Sequence, residues 1–268
     1  MRPSRSGELF RIQLGDRLFA LKLYEDGYFN DLYFYRTLAN AGVPIPKLHA
    51  HDDAGELVGR PWILMDWLEG NQQISDLHAV GKQVGQTLRR IHTICVDGAG
   101  GRSATSWEFP DWHTLLEVQS NRDRLEIGRF LDDDVNKVRY LAVVDEFVRL
   151  GKLLPNQSFL LHGDLGIDNM IIDDDRLVAV IDAGWFVGGS PVMDVSYMMN
   201  SRLLGEHDAM CGFYEGYGVV GVPGNRELSV FRMYHWIGKL IHFSSTGQRG
   251  RFERTRQLLL DLDVGRVR

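Results

Sequence analysis

The chain has 268 residues, 44% of them hydrophobic, and a formal net charge of −6. That is enough apolar material for two lobes around one cleft and too much for extended disorder, and the negative balance excludes a general nucleic-acid binder, which needs a basic face. Two cysteines, Cys95 and Cys211, give neither a disulfide framework nor zinc spacing, no apolar run approaches bilayer length, and no leader follows Met1-Arg2-Pro3-Ser4-Arg5, so a cytoplasmic unit without nucleic-acid or membrane partners is expected.

In chain order, Leu9–Leu14 and Arg17–Tyr24 alternate around Gly15-Asp16 as a hairpin does, and Tyr28–Ala41 has helical apolar spacing. Lys47–Ala50 and Pro61–Trp67 read as further strands, divided by the turn residues 51–55. Ser75 is placed to cap a helix through Ile94, because Leu77, Val80, Val84, Leu88 and Ile91 recur at intervals of three and four. Helical patterns return at Trp112–Leu125, Asp133–Leu150, Pro191–Leu204, Asp208–Tyr217 and Glu227–Ser244, with a last one at Phe252–Leu262. Strands thus come first and helices after, without internal repeat or low-complexity tract. A lobe boundary is expected at Glu69–Asn71, dividing the chain into residues 1–70 and 71–268.

The chemistry concentrates in Leu161-His162-Gly163-Asp164-Leu165-Gly166-Ile167-Asp168-Asn169, followed by Val180-Ile181-Asp182. Phosphoryl transfer asks a protein to align an attacking hydroxyl and to neutralise charge on the leaving nucleotide, usually through magnesium. Magnesium takes about six hard oxygen ligands and keeps several waters, so one carboxylate and one amide suffice beside the phosphates; Asn169 and Asp182 fit those roles. Asp164, five residues before Asn169 on the same loop, is the candidate base or orienting group for the acceptor hydroxyl. Short strands at 158–161, 169–172 and 177–181, with a turn at Asp173-Asp174-Asp175, form a hairpin that brings the two carboxylates together.

His162-Gly163-Asp164, Asn169 and Ile181-Asp182, with Gly189-Ser190-Pro191 and Asp194, resemble the aminoglycoside phosphotransferase family and its ordered motifs HGDxxxxN, ID and GDPxxD. Phe19-Ala20-Leu21-Lys22-Leu23 is similar to the strand whose lysine holds the nucleotide phosphates, Asp31 falls where the family has a helix glutamate, and 41–46, AGVPIP, resembles the segment ending that helix. Ile63–Gly70 looks like the hinge, whose backbone at Met65, Asp66, Trp67 and Leu68 would bind the adenine, and Arg90-Ile91-His92 resembles the LxxLH helix end. The stretches 26–36 and 97–101 look most like the hygromycin-type members. The resemblance runs over about 7–200. It implies an α+β, two-lobed protein-kinase-like fold, with a small antiparallel-sheet amino-terminal lobe for the nucleotide and a mainly helical carboxy-terminal lobe carrying the catalytic loop and acceptor site. The chain departs from the pattern in three places. Only 21 residues precede Lys22, compressing the phosphate-covering loop into Met1–Arg11 with Ser6-Gly7 as its tight turn; Asp31 is one methylene shorter than glutamate; and Ala183-Gly184-Trp185 follows Asp182.

His162 and Asp194 read as structural groups bracing the loop. Glu206, Asp208, Glu215, Tyr214, Tyr217 and Trp236 lie in the region that the resemblance assigns to the acceptor, although most read first as core or solvated surface. P-loop, dinucleotide and zincin signatures are absent, and a protein kinase is disfavoured by Gly163 in place of arginine before the catalytic aspartate and by the lack of an A-P-E segment. The expected activity is ATP- or GTP-dependent, magnesium-assisted transfer of a phosphoryl group to a hydroxyl of a small polar molecule, with an aminoglycoside-type antibiotic as first candidate. The alternatives are a choline, homoserine or sugar-like metabolite kinase, or a nucleotide-binding protein of low transferase activity.

Overall fold

Alternation about Gly15, which takes a left-handed φ of 61°, folds β1 (Glu8–Leu14) onto β2 (Arg17–Leu23) in the expected hairpin, Glu8 opposite Leu23 and Leu14 opposite Arg17. The structure is a computed structural model that describes residues 7–132, 134–218 and 225–262. Helix α1 (Tyr28–Leu38) follows, then β3 (Leu48–Asp52) and β4 (Trp62–Asp66), completing an antiparallel sheet of order β1-β2-β4-β3. β3 takes in His51 and Asp52, two of the expected turn residues. The phosphate-covering loop cannot extend to Arg11, because Glu8–Arg11 are paired in β1; its residues 1–6 lie outside the described residues.

Helix α2 (Leu77–Ile91) is capped by Asp76, whose side chain accepts from the Ala79 N–H at 2.9 Å. The expected cap, Ser75, instead gives its backbone N–H to Asp175 at 2.6 Å. Next come β5 (Cys95–Val96), β6 (Ala99–Arg102), β7 (Trp107–Phe109), α3 (Trp112–Phe130), α4 (Lys137–Gly151) and β8 (Ser158–Leu160). Asp133, the expected start of α4, lies outside the described residues. A 3-10 turn at Ile167–Asn169 leads into β9 (Met170–Asp173) and β10 (Arg176–Val180), the expected hairpin, turned by Asp174 and Asp175 at φ 44° and 63°. β11 (Gly188–Gly189) completes a second sheet, β5-β8-β11-β6-β7, which no apolar period announces.

The chain ends in helices α5 (Val192–Met198), α6 (Arg202–Gly205), α7 (His207–Tyr217), α8 (Asn225–Ser245) and α9 (Arg249–Asp261). The single helix expected over Pro191–Leu204 is two, because Ser201 caps a new start by accepting from the Leu204 N–H. One core packs α1, α2 and α7 over the β9/β10 hairpin and includes Phe34, Val84, Leu88, Met170 and Phe213; a second joins α3, α4 and α8 through Trp112, Phe147 and Phe231; a third, smaller one gathers Tyr24, Tyr28, Leu32 and Ile63 between α1 and the first sheet. The segment His162–Asn169 runs between the first two, with Leu165 in one and the preceding Leu161 in the other. Among the described residues no helix is long and apolar enough to cross a membrane.

Candidate active site

Lys22 points from β2 to Asp31 on α1, with Nζ 2.7 Å from Oδ2. The shorter acid reaches because the first turns of α1 are buried against the sheet: Asp31 is only 1% exposed, and its carboxylate also accepts from the Tyr24 hydroxyl at 2.6 Å and the Ala183 N–H at 2.8 Å. Burial pulls the Lys22 ammonium down, but Asp31 and Asp182 outweigh it and hold the ammonium above its ordinary value. Lys22 also contacts the Asp182 carboxylate directly.

Asp182 leaves β10 at φ 64°, a left-handed conformation uncommon for a non-glycine residue, with its N–H on the buried Tyr35 hydroxyl at 3.1 Å. Gly163 also has a left-handed φ, 79°, and a Cβ there would lie 2.3 Å from the Phe186 carbonyl oxygen. An arginine cannot occupy that place without moving the backbone. Gly184 closes the junction, its N–H on the His162 carbonyl at 2.7 Å.

Asp164 lies between two donors: the Tyr197 hydroxyl contacts Oδ1, and the Asn169 Nδ2 lies 3.3 Å from Oδ2 and 2.8 Å from the Asp164 carbonyl. Burial lifts the Asp164 carboxyl above its ordinary value despite these hydrogen bonds. Because the Asn169 amide nitrogen is engaged, its Oδ1 is the atom left for a cation. A carboxylate at 182 and an amide oxygen at 169 are the hard-oxygen donors magnesium prefers beside phosphate and water, so the residues present fit that ion. Among the described residues no cluster of three His, Cys, Asp or Glu side chains competes as a metal site.

Asp194 braces the loop from below, accepting from the His162 N–H at 2.6 Å, the Gly163 N–H at 2.8 Å and His92 Nε2 at 3.1 Å. Burial alone would raise its carboxyl, but His92, His162 and the backbone donors hold it below the usual range. His162 itself points away from the reacting groups, with Nε2 donating to the Ile181 carbonyl at 2.9 Å.

Lys22, Asp31, Asp164 and Asp182 therefore line one narrow pocket. Met65, Asp66, Trp67 and Leu68 do not line it. The N–H groups of Asp66 and Trp67 are bound to the carbonyls of Lys47 and Leu18, at 3.0 and 3.3 Å, so they are not free for a base. Of the acceptor candidates, Glu215 faces away and pairs with Lys82, while Tyr217 is bound to His92 at 2.8 Å. None of Glu206, Asp208, Glu215, Tyr214, Tyr217 and Trp236 lines the three cavities at the cleft.

Three groups that the motifs do not mark do lie there. Asn30 donates from Nδ2 to the carbonyls of Gly184 and Trp185, each at 3.0 Å, and accepts from the Arg102 N–H at 2.6 Å, tying α1 to the segment after Asp182. Its place beside Asp31 was the only signal. Tyr197, three residues after Asp194, reaches Asp164, and Lys239 on α8 faces the same carboxylate across a second cavity.

A family model described as phosphotransferase enzyme family matches residues 3–226. The chain belongs to this family. A homoserine kinase of Bartonella henselae is 29% identical over 212 residues, covering 74% of this chain and 62% of that protein. A hygromycin-B 4-O-kinase of Escherichia coli is 23% identical over 184 residues, covering 65% and 53%. The matches thus span 53–62% of the length of these curated relatives. Among solved structures, aminoglycoside phosphotransferase APH(4)-Ia in ternary complex with ADP and hygromycin B superposes with a TM-score of 0.78 at 18% identity, covering 99% of this chain and 93% of that one. Choline kinase LicA of Streptococcus pneumoniae gives 0.67 at 11%, covering 95% and 89%. At such identities the likeness carries the fold, which is the two-lobed, protein-kinase-like α+β architecture of the family.

Proposed function

We propose that the protein transfers the γ-phosphoryl group of ATP or GTP to a hydroxyl of a small polar molecule. The observation that carries this reading is that Asp164 lines both the pocket of Lys22, Asp31 and Asp182 and a separate cavity against α8. A carboxylate with one side toward a cation-and-phosphate site and the other toward a chamber is placed to hold an alcohol against a phosphoryl donor. The acceptor oxygen forms the new bond to γ-phosphorus, the bond to the β,γ-bridging oxygen breaks, and the hydroxyl proton passes to Asp164. Lys22 holds the phosphates and leaves Asp182 as they arrive, while Asn169 and Asp182 would hold magnesium, which would neutralise charge on the transferring group.

Residues 1–70 form the nucleotide lobe in this reading, with base recognition left to groups near Leu68 that are not drawn into the sheet. The two acceptor classes named by relatives differ in size and charge. An aminoglycoside-type antibiotic would need the basin of about 990 Å³ that adjoins Asn30 and Trp185, whereas a small metabolite would fit the cavity of about 210 Å³ at Asp164. Contact with Asp164 favours the small metabolite. The test is a kinase assay with ATP or GTP and magnesium across aminoglycosides, hydroxy amino acids, choline and sugars, read by mass for addition of one phosphoryl group. Product with at least one acceptor is expected; nucleotide-induced stabilisation with no product on any of them would replace this reading with a nucleotide-binding protein.

A further inference from the structure

The 210 Å³ cavity beside Asp164 is smaller than the roughly 300–1,000 Å³ of pockets that hold drug-sized ligands, so a molecule of few heavy atoms fills it. One face of α8 supplies His235, Gly238, Lys239 and His242 to its wall, opposite Tyr197 and Trp185. These side chains bring one ammonium and two imidazoles, and the carboxylates on the lining are Asp164 and Asp194. Asp194 is bound by His92 and the loop N–H groups, and Asp164 is reserved for the hydroxyl.

Lys239 makes no ion pair among the described residues; its Nζ lies over the rings of Trp236 at 4.7 Å and Tyr197 at 5.1 Å. Burial pulls its ammonium below the ordinary lysine value, with Asp164 only partly opposing this. A half-buried ammonium without an anion is a costly arrangement that a bound anion would relieve. Buried His235 backs this wall, with its Nδ1 closed off from the cavity space. Its Nε2 is 3.0 Å from the Met193 carbonyl, which has only lone pairs to offer, so Nε2 carries the proton and Nδ1 the lone pair. Nδ1 has no partner, and burial lowers the imidazole to about 4, which keeps it neutral.

We propose that this cavity holds the carboxylate end of the acceptor, with Lys239 as the anion anchor. The substrate class is then a small hydroxylated carboxylic acid of amino-acid size, not a polycationic sugar. The inference rests on the phosphotransferase reading and names the acceptor for that same site. Lys239 sets specificity; it is not assigned a part in the phosphoryl step.

The test uses the full chain with ATP and magnesium and pairs of acceptors sharing one hydroxyl: L-homoserine and other short hydroxy acids, each beside its primary carboxamide, with 3-aminopropan-1-ol and hygromycin B as cationic arms. In the wild type the acid is expected to have a KM roughly tenfold to a hundredfold below that of its amide, the range of one hydrogen-bonded charge. Lys239→Gln should erase that difference, with any change in kcat shared by acid and amide, and Lys239→Arg should retain it; unchanged melting temperatures establish that both variants fold. Equal KM for acid and amide, product only with uncharged or cationic acceptors, or an acid-to-amide KM ratio kept in Lys239→Gln would overturn the anchor and leave the transferase reading in place. No product on any acceptor, with nucleotide still stabilising the protein, would overturn the transferase reading instead.

Discussion

Asp182 and Asp164 are both carboxylates at the cleft, yet their partners differ enough to separate their roles. Asp182 contacts a cation and is set to exchange it for another, so Asp182→Ala should weaken magnesium-nucleotide binding and turnover together. Asp164 contacts only hydrogen-bond donors, so Asp164→Ala should leave nucleotide affinity near wild type while lowering kcat by about 10²- to 10⁴-fold. Titration calorimetry beside steady-state kinetics separates the two, and equal effects of both variants on nucleotide affinity would show the roles to be misassigned. Asp194 makes a different prediction. Its folded-state value is depressed, so its stabilisation is complete above the unfolded-state value of about 3.9 and is lost as pH falls through the lower folded-state value. Asp194→Asn should cost about 3–5 kcal/mol near neutral pH, and the gap in melting temperature from wild type should narrow in acid below about pH 4. A gap that stays constant there would mean that the charge is not what the loop uses. The sequence marked Asp164, Asn169 and Asp182 by their spacing on short loops and strands and Lys22 by its likeness to a family strand, and three of them, Lys22, Asp164 and Asp182, line one pocket. The roles of Asn30, Tyr197 and Lys239 were not legible there, and His92 was marked only as a helix end, since each acts on a group 33 to 155 residues away or across a cavity, and no local pattern records that distance.

Between elements, α2 and α7 approach each other closely. A Cβ at Gly81 or Gly85 would lie 2.1 and 2.3 Å from the carbonyl oxygens of Ala209 and Phe213, and one at Gly212 or Gly216 would lie 2.0 Å from those of His78 and Lys82. Each helix thus presents glycines four residues apart to the backbone of the other. This contact also sets the position of Tyr217, which holds His92, which holds Asp194. Gly212→Val should therefore destabilise by about 2–3 kcal/mol in urea unfolding and reduce activity from a distance. Gly128, exposed on α3 with nothing within 4 Å of an added Cβ, is the control, and Gly128→Ala should be neutral or stabilise by up to about 1 kcal/mol. If Gly212→Val is as stable as wild type, the helices are not locked by this contact. The helices themselves were readable from apolar spacing, but their glycine contacts were not, because a missing side chain leaves no hydrophobic signal. The five-stranded sheet escaped for a related reason. Its strands are two to four residues long, and Gly98 and Gly188 are there to make room for Trp107.

For the whole molecule, the cleft lies between a sheet from the first 66 residues and the loops of the helical part, and Lys22, Asp31 and Asp182 join the two. A nucleotide bridging both should stabilise them as a unit. At about a hundredfold excess over Kd this amounts to about 2.7 kcal/mol. At roughly 2–4 °C per kcal/mol for a chain of this class, the melting temperature should rise by about 5–10 °C. Chelation of magnesium should remove most of the rise, and a shift insensitive to a chelator would mean that Asn169 and Asp182 hold no cation with the nucleotide. The two-lobed order was legible because strands precede helices in the chain. The cavity beside Asp164 was not, since its wall is assembled from the segment after Asp182, α5 and α8.

Trp185 lies at the meeting point of all three cavities. It is a partition with a small room on one side and a large one on the other. Exchange for a short side chain would join the two and let bulkier alcohols reach an unaltered phosphoryl donor, so, in the phosphotransferase reading, a new diet can begin at a single wall while the residues around Asp164 and Asp182 stay as they are.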